Sequence, residues 1–234
     1  MRVLAVGAHP DDLEILCGGT LARFAQDGHE IVMCHASRGD RGSFVHTSEE
    51  IAALRWEEAR RAAEICGAEA RSLGLSDGEV NAADIDQRRL VIDLVREVRP
   101  GLIITHHPGD YMGDHNEISR LVFECSFHAT LPLFETGKPH HSLVTPIYYM
   151  ETVMGVGFSP TEFVDVSTTI ETKIAMLEAH QSQLTWLRDH DGIDVVEQML
   201  TTTRFRGQQC RVEYAEGFVP CLTWLRGTTR RLLP

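Results

Sequence analysis

The stretch that decides the fold lies at the start of the chain and reads Val3-Leu4-Ala5-Val6-Gly7-Ala8-His9-Pro10-Asp11-Asp12. Its first half is a short, continuous apolar run, which is typical of a buried strand in a parallel sheet. Its second half places one imidazole and two carboxylates directly after that strand. Because open α/β sheets bind their ligands at the carboxyl ends of their strands, this order predicts a functional site at that edge.

Beyond this stretch, strand-like and helix-like patterns alternate over the first 130 residues. The strand candidates are Arg2–Gly7, Glu30–Ser37, Ala70–Leu73 and Leu102–Thr105. The helix candidates are Leu13–Asp27 and residues 47–67, 84–99 and 115–129. The alternation predicts βαβ units, and therefore a Rossmann-like α/β fold with a mostly parallel sheet flanked by helices.

The last third of the chain has a different pattern from residue 131 onward. Proline and glycine divide it into loops, with short strands predicted at Ile147–Glu151 and Phe163–Val166. One helical tract is predicted from Thr168 to about His190, and another from about Ile193 to Arg206. The chain contains no internal repeat, so we expect one α/β domain over residues 1–234 with an elaborated C-terminal third.

Composition argues against several functional classes. The 234 residues are 43% hydrophobic and 24% charged, which is ordinary for a globular protein. A net charge of −12 argues against a nucleic-acid partner, because phosphate binding needs clustered Lys and Arg. No apolar run reaches the roughly 18 residues that span a bilayer, and the N-terminus lacks a secretory pattern. Six cysteines without a CxxC pair favour free thiols in a reducing compartment. Together, these observations lead us to expect a cytoplasmic protein without a membrane partner.

A second group of polar side chains follows the predicted strand Leu102–Thr105. It contains His106, His107, Asp110, Asp114 and His115. Parallel strands end at the same edge of a sheet, so this group should converge with the first motif. On its own, Asp12 could be a plain helix N-cap. Two His- and Asp-rich loops at one edge instead favour a site where imidazoles and a carboxylate bind a divalent metal and another carboxylate acts as a base.

With these two motifs, the chain resembles the PIG-L or LmbE-like family of zinc-dependent N-acetylglucosaminyl deacetylases. The family signature is A-H-P-D-D followed by glycines, here Ala8–Asp12 and Gly18-Gly19, and later an element like H-x-D-H, here Met112–His115. Weaker matches follow in the family's order at residues 37–42, 55–58, 73–78, 173–183 and 215–218. The resemblance therefore covers most of the chain.

The resemblance implies a role for each of these motif residues. His9, Asp12 and His115 would bind Zn²⁺ or another divalent metal, a ligand set that suits a catalytic site. Asp11 would be the general base, and Asp114 would orient an imidazole. The substrate-binding residues would be Asp40, Arg41, Arg55 and Asp77. The implied reaction removes an acetyl or similar acyl group from an N-acetylated amino sugar or related small amide, and the family also implies a homo-oligomer.

One departure from the family pattern concerns the third residue before His115. Most of these deacetylases have a histidine there, which stabilises the oxyanion and helps to protonate the leaving amine. This chain has Met112, which can do neither. The histidines that could replace it are His106, His107, His140, His141 and His180.

Met112 also motivates an alternative enzyme on the same scaffold, a metal-dependent hydratase or lyase acting on a small unsaturated carboxylic acid. Such a reaction has no leaving amine, and Arg38 and Arg41 could clamp its carboxylate. A third possibility is a non-enzymatic metal-binding or interaction protein, although an intact Asp11 beside two candidate ligands argues against it. Trp186 could line a sugar site, or it could serve as a packing residue.

Overall fold

Seven strands form one mixed sheet, and seven α-helices flank it. The computed structural model describes residues 1–234. The strands are β1 (Arg2–Gly7), β2 (Glu30–Ser37), β3 (Glu69–Leu75), β4 (Leu102–His106), β5 (Ile147–Met150), β6 (Glu162–Asp165) and β7 (Ala215–Pro220). The helices are α1 (Asp12–Gln26), α2 (Ser48–Cys66), α3 (Ile85–Val98), α4 (Gly113–His128), α5 (Ile170–Glu178), α6 (Gln181–Asp191) and α7 (Val195–Cys210). None of the helices is long and apolar enough to cross a bilayer.

The order of the strands is β3-β2-β1-β4-β5-β7-β6. The first five are parallel, whereas β7 runs antiparallel to both β5 and β6. The prediction of a mostly parallel, Rossmann-like α/β fold is therefore confirmed. The winding reverses between β1 and β4, and the crevice at such a switch point is where doubly wound sheets bind ligands. The two polar loops of the sequence follow these two strands.

Strand β1 is buried on both faces, as its continuous apolar run predicts. Val3 and Ala5 belong to the core on one face of the sheet, which includes residues of α1 and α2. Leu4 and Val6 belong to the core on the other face, which includes residues of α3 and α4. Successive side chains of β1 pack into opposite cores, and this packing holds the strand in place. The loop at residues 8–11 therefore begins at a fixed position at the end of β1.

The prediction of one continuous helical tract from Thr168 to about His190 is wrong, because the helix is interrupted between α5 and α6. His180 lies at the break with φ −86° and ψ 55°. Its ring is fully buried, with Nε2 lying 3.1 Å from Oε1 of Glu14 on α1. The tertiary contact with Glu14, which periodicity does not reveal, holds His180 in this position.

Strand β7 was not predicted as a strand, because the charged residue Glu216 interrupts its apolar pattern. Glu216 is nevertheless buried and forms an ion pair with Lys173 on α5. Its Oε1 accepts a hydrogen bond from the Gly19 backbone N–H at 2.9 Å, and its Oε2 accepts one from Thr20 at 2.8 Å. Lys173 also donates to the carbonyl of Ile15 at 2.8 Å. This network ties the end of the chain to α1.

We expect Glu216→Ala to lower the free energy of unfolding by about 3–5 kcal/mol, because it leaves Lys173 buried without a counter-charge. Glu213→Ala, at an exposed position just before β7, is the control and should change stability by no more than about 0.5 kcal/mol. Denaturant unfolding measures both variants. Equal effects would contradict a stabilising role for the buried pair.

Candidate active site

The loops after β1 and β4 bring three sequence-predicted metal ligands together. His9, Asp12 and His115 each offer a ligand atom, and these atoms lie within 4.8 Å of one another. Nδ1 of His9 is 3.4 Å from Oδ2 of Asp12, and Nε2 of His115 is 3.3 Å from Oδ1 of the same carboxylate. We refer to these three residues as the triad.

The triad has the features of a site for a divalent cation. Nε2 of His115 is buried and has no hydrogen-bond partner in the protein. Each imidazole is held at its other nitrogen by a carboxylate: His9 Nε2 lies 3.1 Å from Asp114 Oδ2, and His115 Nδ1 lies 3.0 Å from Asp110 Oδ2. Carboxylates in these positions fix the orientation of metal-binding imidazoles. Two imidazoles and one carboxylate suit zinc with positions left for water and substrate.

The carboxylates around the triad favour protonated imidazoles when no metal is bound. Burial disfavours the charged form of His9, but hydrogen bonds to Asp114 and Asp12 outweigh it and raise the pKa of His9 to about 11. Burial likewise opposes the charge on His115, yet Asp12 and Asp110 raise its pKa to about 9. In return, His115 contributes to holding the pKa of Asp12 well below its usual value, against the effect of burial. The metal-free triad is therefore Asp⁻ with two imidazolium groups at neutral pH.

Because a metal binds neutral imidazole, zinc binding near pH 7 should release about two protons per chain. Calorimetric titration of metal-free protein in buffers of different ionisation enthalpy measures this number. The Asp114→Asn variant is the matched control. It removes one carboxylate that raises the pKa of His9, so fewer protons should be released. Zinc binding with no proton release would contradict protonated imidazoles in the metal-free triad.

A second group of possible ligands, His106, Asp110 and His115, shares His115 with the triad. Nε2 of His106 is already engaged, because it accepts a hydrogen bond from the Ala8 backbone N–H at 3.0 Å. Burial, with a contribution from the charge of His115, lowers the pKa of His106 to about 4, so that ring stays neutral. His106 therefore links the end of β4 to the loop that carries the triad.

Asp11 lies beside the triad in a strained backbone conformation, with φ 128° and ψ −26°. Positive φ values are rare for residues with a side chain and accumulate at functional sites. Asp11 is the N-cap residue of α1 but makes no side-chain capping bond. Asp12 is no plain cap either, because its carboxylate accepts a hydrogen bond from the His9 backbone N–H at 2.6 Å. The local helix therefore does not account for these two carboxylates.

The buried side chain of Arg55 on α2 contacts this strained turn. Its NH2 group donates to the carbonyl of Pro10 at 2.5 Å and lies 3.4 Å from Oδ2 of Asp11. Burial raises the pKa of Asp11 to about 6, although the charge of Arg55 opposes that rise. Asp11 is thus ionised above that pH while buried, which leaves its carboxylate able to accept a proton.

A pocket of about 350 Å³ opens above these residues. The sequence-predicted residues in its wall are His9, Asp11, Asp12, Arg55 and Asp77. Met112 and Tyr111 also contribute to the wall, as do apolar side chains of α1, α6 and the start of α7. The floor of the pocket is therefore polar and titratable, and its rim is largely apolar, as is common in small-molecule sites.

The structure does not place Asp40 in this pocket, although the family pattern implied a substrate contact. Its carboxylate is buried and accepts hydrogen bonds from Arg38 at 2.9 Å, Ser76 Oγ at 2.8 Å and the Asp77 backbone N–H at 2.9 Å. We therefore assign Asp40 to holding the loop after β2 against the loop after β3.

Arg41 and Arg38 also lie outside the pocket wall. Arg41 forms an ion pair with Glu79, and its side chain is more than half exposed. Arg38 pairs with Asp40 and with Glu49. Carboxylates thus pair with both guanidinium groups, and the substrate contact of Arg41 stays a prediction.

None of the five histidines considered as replacements at Met112 lines the pocket. His106 is bound to the backbone of Ala8, and His180 faces Glu14. His107 packs against Tyr149 and Phe158. His140 is exposed, and His141 contacts the carbonyl of Pro100 at the opposite edge of the sheet. We therefore look for the proton donor among the residues that line the pocket.

Sequence reasoning missed several residues of the site. Asp110 was noticed only as part of a polar stretch, and its support of His115 depends on the turn at residues 107–112. The wall residues Tyr111 and Gln183 were not singled out. Gln183 belongs to the motif at residues 173–183, so position in that motif was the signal available for it.

The fold and site define a Rossmann-like α/β protein with a candidate metal centre at its switch point. The chain belongs to the PIG-L family, because residues 4–126 match the family profile described as GlcNAc-PI de-N-acetylase. The resemblance found in the sequence motifs is thereby confirmed.

Individual relatives differ in the reactions that their names describe. The chain is 30% identical to a diacetylchitobiose deacetylase of Thermococcus kodakarensis, over 94% of this chain and 83% of that protein. It is 28% identical to a 4-oxalmesaconate hydratase of Pseudomonas putida, over 77% of this chain and 73% of that protein. The crystal structure of a 4-carboxy-2-hydroxymuconate hydratase from Pseudomonas putida superposes with a TM-score of 0.84 at 24% identity, covering 99% of each chain, and shows the shared fold.

Proposed function

We propose that this protein is a metal-dependent hydrolase that removes an acetyl group from an N-acetylated amino sugar or a related small amide. The observation that carries the proposal is the triad beside Asp11, a buried carboxylate that the helix does not use as a cap. Membership of the PIG-L family and the deacetylase relative support it. The proposal includes a small-molecule substrate, a homo-oligomer and a cytoplasmic location, as the sequence predicted.

Within this proposal, His9, Asp12 and His115 would hold the metal, with Zn²⁺ the ion that the donor set suits best. When bound, the ion would polarise the amide carbonyl and lower the pKa of a water to about 7. Asp11 accepts the proton of the attacking water. Arg55 holds the turn that presents Asp11, and Asp114 and Asp110 keep the two imidazoles in orientation.

Tyr111 is our candidate for the donor that Met112 cannot provide. Its side chain lines the pocket next to Met112, and its hydroxyl lies 3.5 Å from the carbonyl of Val153 across the opening. Burial raises the pKa of Tyr111, so the hydroxyl stays protonated near neutral pH. A protonated hydroxyl can donate a hydrogen bond to the developing oxyanion or to the leaving amine.

Hydration of a small unsaturated carboxylic acid is the second candidate function. Met112 and the relative named as a hydratase favour it. The charge of the pocket disfavours hydration of such an acid. Arg55 is the single Lys or Arg side chain in the pocket wall. It already lies 3.4 Å from the carboxylate of Asp11 and 3.9 Å from that of Asp77. A substrate with several carboxylates would find no unpaired guanidinium there.

Parallel assays of the zinc-loaded protein test the proposal. We expect acetate release from N-acetylglucosamine derivatives, including N,N'-diacetylchitobiose, and no loss of the conjugated absorbance of 4-oxalmesaconate. The opposite pattern would replace the deacetylase by the hydratase. Activity on neither substrate class, with zinc bound, would contradict both.

A further inference from the structure

His35 on β2 is a buried imidazole with a single side-chain hydrogen bond. The residue is 1% exposed and lies on the same face of the strand as Met33, which belongs to the apolar core beneath α1 and α2. Its Nδ1 lies 3.1 Å from the backbone carbonyl oxygen of His9, and its Nε2 has no hydrogen-bond partner. An apolar side chain would fill this core position without the cost of burying a polar ring. The contact with His9 is therefore what the imidazole adds.

The hydrogen bond from His35 fixes a peptide group that has few other means of support. A carbonyl oxygen only accepts, so Nδ1 of His35 carries the proton and donates it. The carbonyl of His9 belongs to the peptide bond before Pro10, which has no backbone N–H, so this peptide can be held only through its oxygen. The other donor to that oxygen is the backbone N–H of Asp12, at a longer distance of 3.3 Å.

The side chain of His35 extends the support that the backbone of β2 gives to the loop at residues 8–11. The backbone N–H of Ser37 donates to the carbonyl of Ala8 at 2.8 Å, which is where pairing between the backbones of β2 and the loop ends. The next carbonyl, that of His9, is reached by the imidazole instead. Strand β2 therefore holds two consecutive carbonyls of the loop, one through its backbone and one through a side chain.

Arg55 on α2 holds the carbonyl after these two. It donates to the oxygen of Pro10 at 2.5 Å. The peptide groups on both sides of Pro10 are thus fixed directly before Asp11, whose φ is 128°. Strained backbone conformations persist only where the surrounding structure over-determines them. The donors of His35 and Arg55 supply that restraint from two different elements of the fold.

We propose that His35 is a positioning residue for the metal centre. Through the carbonyl of His9 it holds the loop that presents the His9 imidazole to the metal and the Asp11 carboxylate to the attacking water. His35 does not line the pocket and touches neither the metal ligands' donor atoms nor the substrate space. The proposal rests on the proposed function, since that function gives His9 and Asp11 their roles.

The zinc affinity of chelated protein, measured by competition with a chromophoric chelator, tests the proposal without requiring activity. His35→Leu should weaken zinc binding by about tenfold, at the lower end of the range for groups that orient metal ligands. His35→Gln keeps a polar side chain but places its amide at the position of Nε2, so it should lose the same affinity. His35→Asn places an amide N–H group at the position of Nδ1 and should restore zinc binding to near the wild-type level.

Kinetics at saturating zinc provide a second measurement on the same variants. For acetate release from N,N'-diacetylchitobiose, His35→Leu and His35→Gln should lower kcat by about tenfold or more and leave KM unchanged, because Asp11 is misplaced while the pocket wall is intact. His35→Asn should recover kcat. A purely structural role would lower the amount of folded protein without this separation of kcat from KM.

His141→Leu is the matched control. His141 is also buried, and its Nε2 lies 3.1 Å from the backbone carbonyl of Pro100 at the opposite edge of the sheet. The substitution removes the same kind of hydrogen bond far from the triad. It should therefore lower stability in denaturant unfolding about as much as His35→Leu, while zinc affinity and kcat stay at wild-type values.

The outcomes separate the role of His35 from the proposed function. Wild-type zinc affinity in both His35→Leu and His35→Gln would overturn the positioning role, even if the protein releases acetate. An equal loss in His35→Asn, or in the control at His141, would also overturn it, because ring packing or general stability would then explain the effect. If the expected zinc affinities are found but the wild type releases no acetate, the positioning of His9 stands and the proposed deacetylation falls.

Discussion

Asp11→Asn is expected to lower kcat for hydrolysis of an N-acetylated amino sugar by about a thousandfold, within the range that general-base catalysis contributes. The amide of asparagine cannot accept the proton of the attacking water. Its shape is close to that of the carboxylate, so the turn held by Arg55 should persist. Zinc content should stay at the wild-type level, because the triad is intact. Steady-state kinetics together with metal analysis of the purified variant measure both quantities.

The control for this variant is Asp86→Asn, which makes the same chemical change at an exposed carboxylate of α3. Its kcat and zinc content should match the wild type. If Asp11→Asn retains kcat within tenfold of the wild type, Asp11 is not the base. A loss of zinc with the loss of activity would instead assign Asp11 to the metal centre.

His115→Ala should remove both the metal and the activity. The side chain is fully buried, and its Nε2 lies 3.3 Å from Oδ1 of Asp12 and has no hydrogen-bond partner. Metal ions contribute several kcal/mol of transition-state stabilisation, and each 1.36 kcal/mol is tenfold in rate, so we expect a loss of about a thousandfold or more. Metal analysis after dialysis against a weak chelator should find little zinc in this variant.

His140→Ala is the matched control, because it removes an exposed imidazole far from the triad. It should keep zinc and activity. Replacement of Asp110 by Asn should fall between the two variants, with metal affinity reduced about 10- to 100-fold, because it removes only the group that orients His115. Full zinc binding by His115→Ala would contradict the assignment of the triad.

The sequence predicted the fold well where pattern and burial agree. The run Val3–Val6 is buried on both faces, and strand–helix alternation then requires parallel pairing with β2 and β4. The prediction failed where a charged residue is buried. Glu216 hid β7, and the contact of His180 with Glu14 broke the expected long helix. In both places a partner distant in sequence decides the structure, and local patterns carry no information about that partner.

The candidate site likewise combines residues that local patterns predict with residues whose positions depend on distant partners. The convergence of His9 and Asp12 with His115 was predictable because two strand ends meet at the switch point, whereas their role as metal ligands was implied by the family resemblance. The support of His115 by Asp110 depends on how a loop turns, which spacing does not determine. The hydrogen bonds that Asp40 accepts from Ser76 and Asp77 could not be predicted, because both donors come from another loop.

Zinc titration of the metal-free protein, with acetate release as the readout, tests the metal centre most directly. We predict that chelated protein releases no acetate from N,N'-diacetylchitobiose, and that the rate rises in proportion to added zinc up to about one ion per chain. His115→Ala should show no such rise. Undiminished acetate release by metal-free protein, or zinc-dependent activity in His115→Ala equal to that of the wild type, would contradict the account.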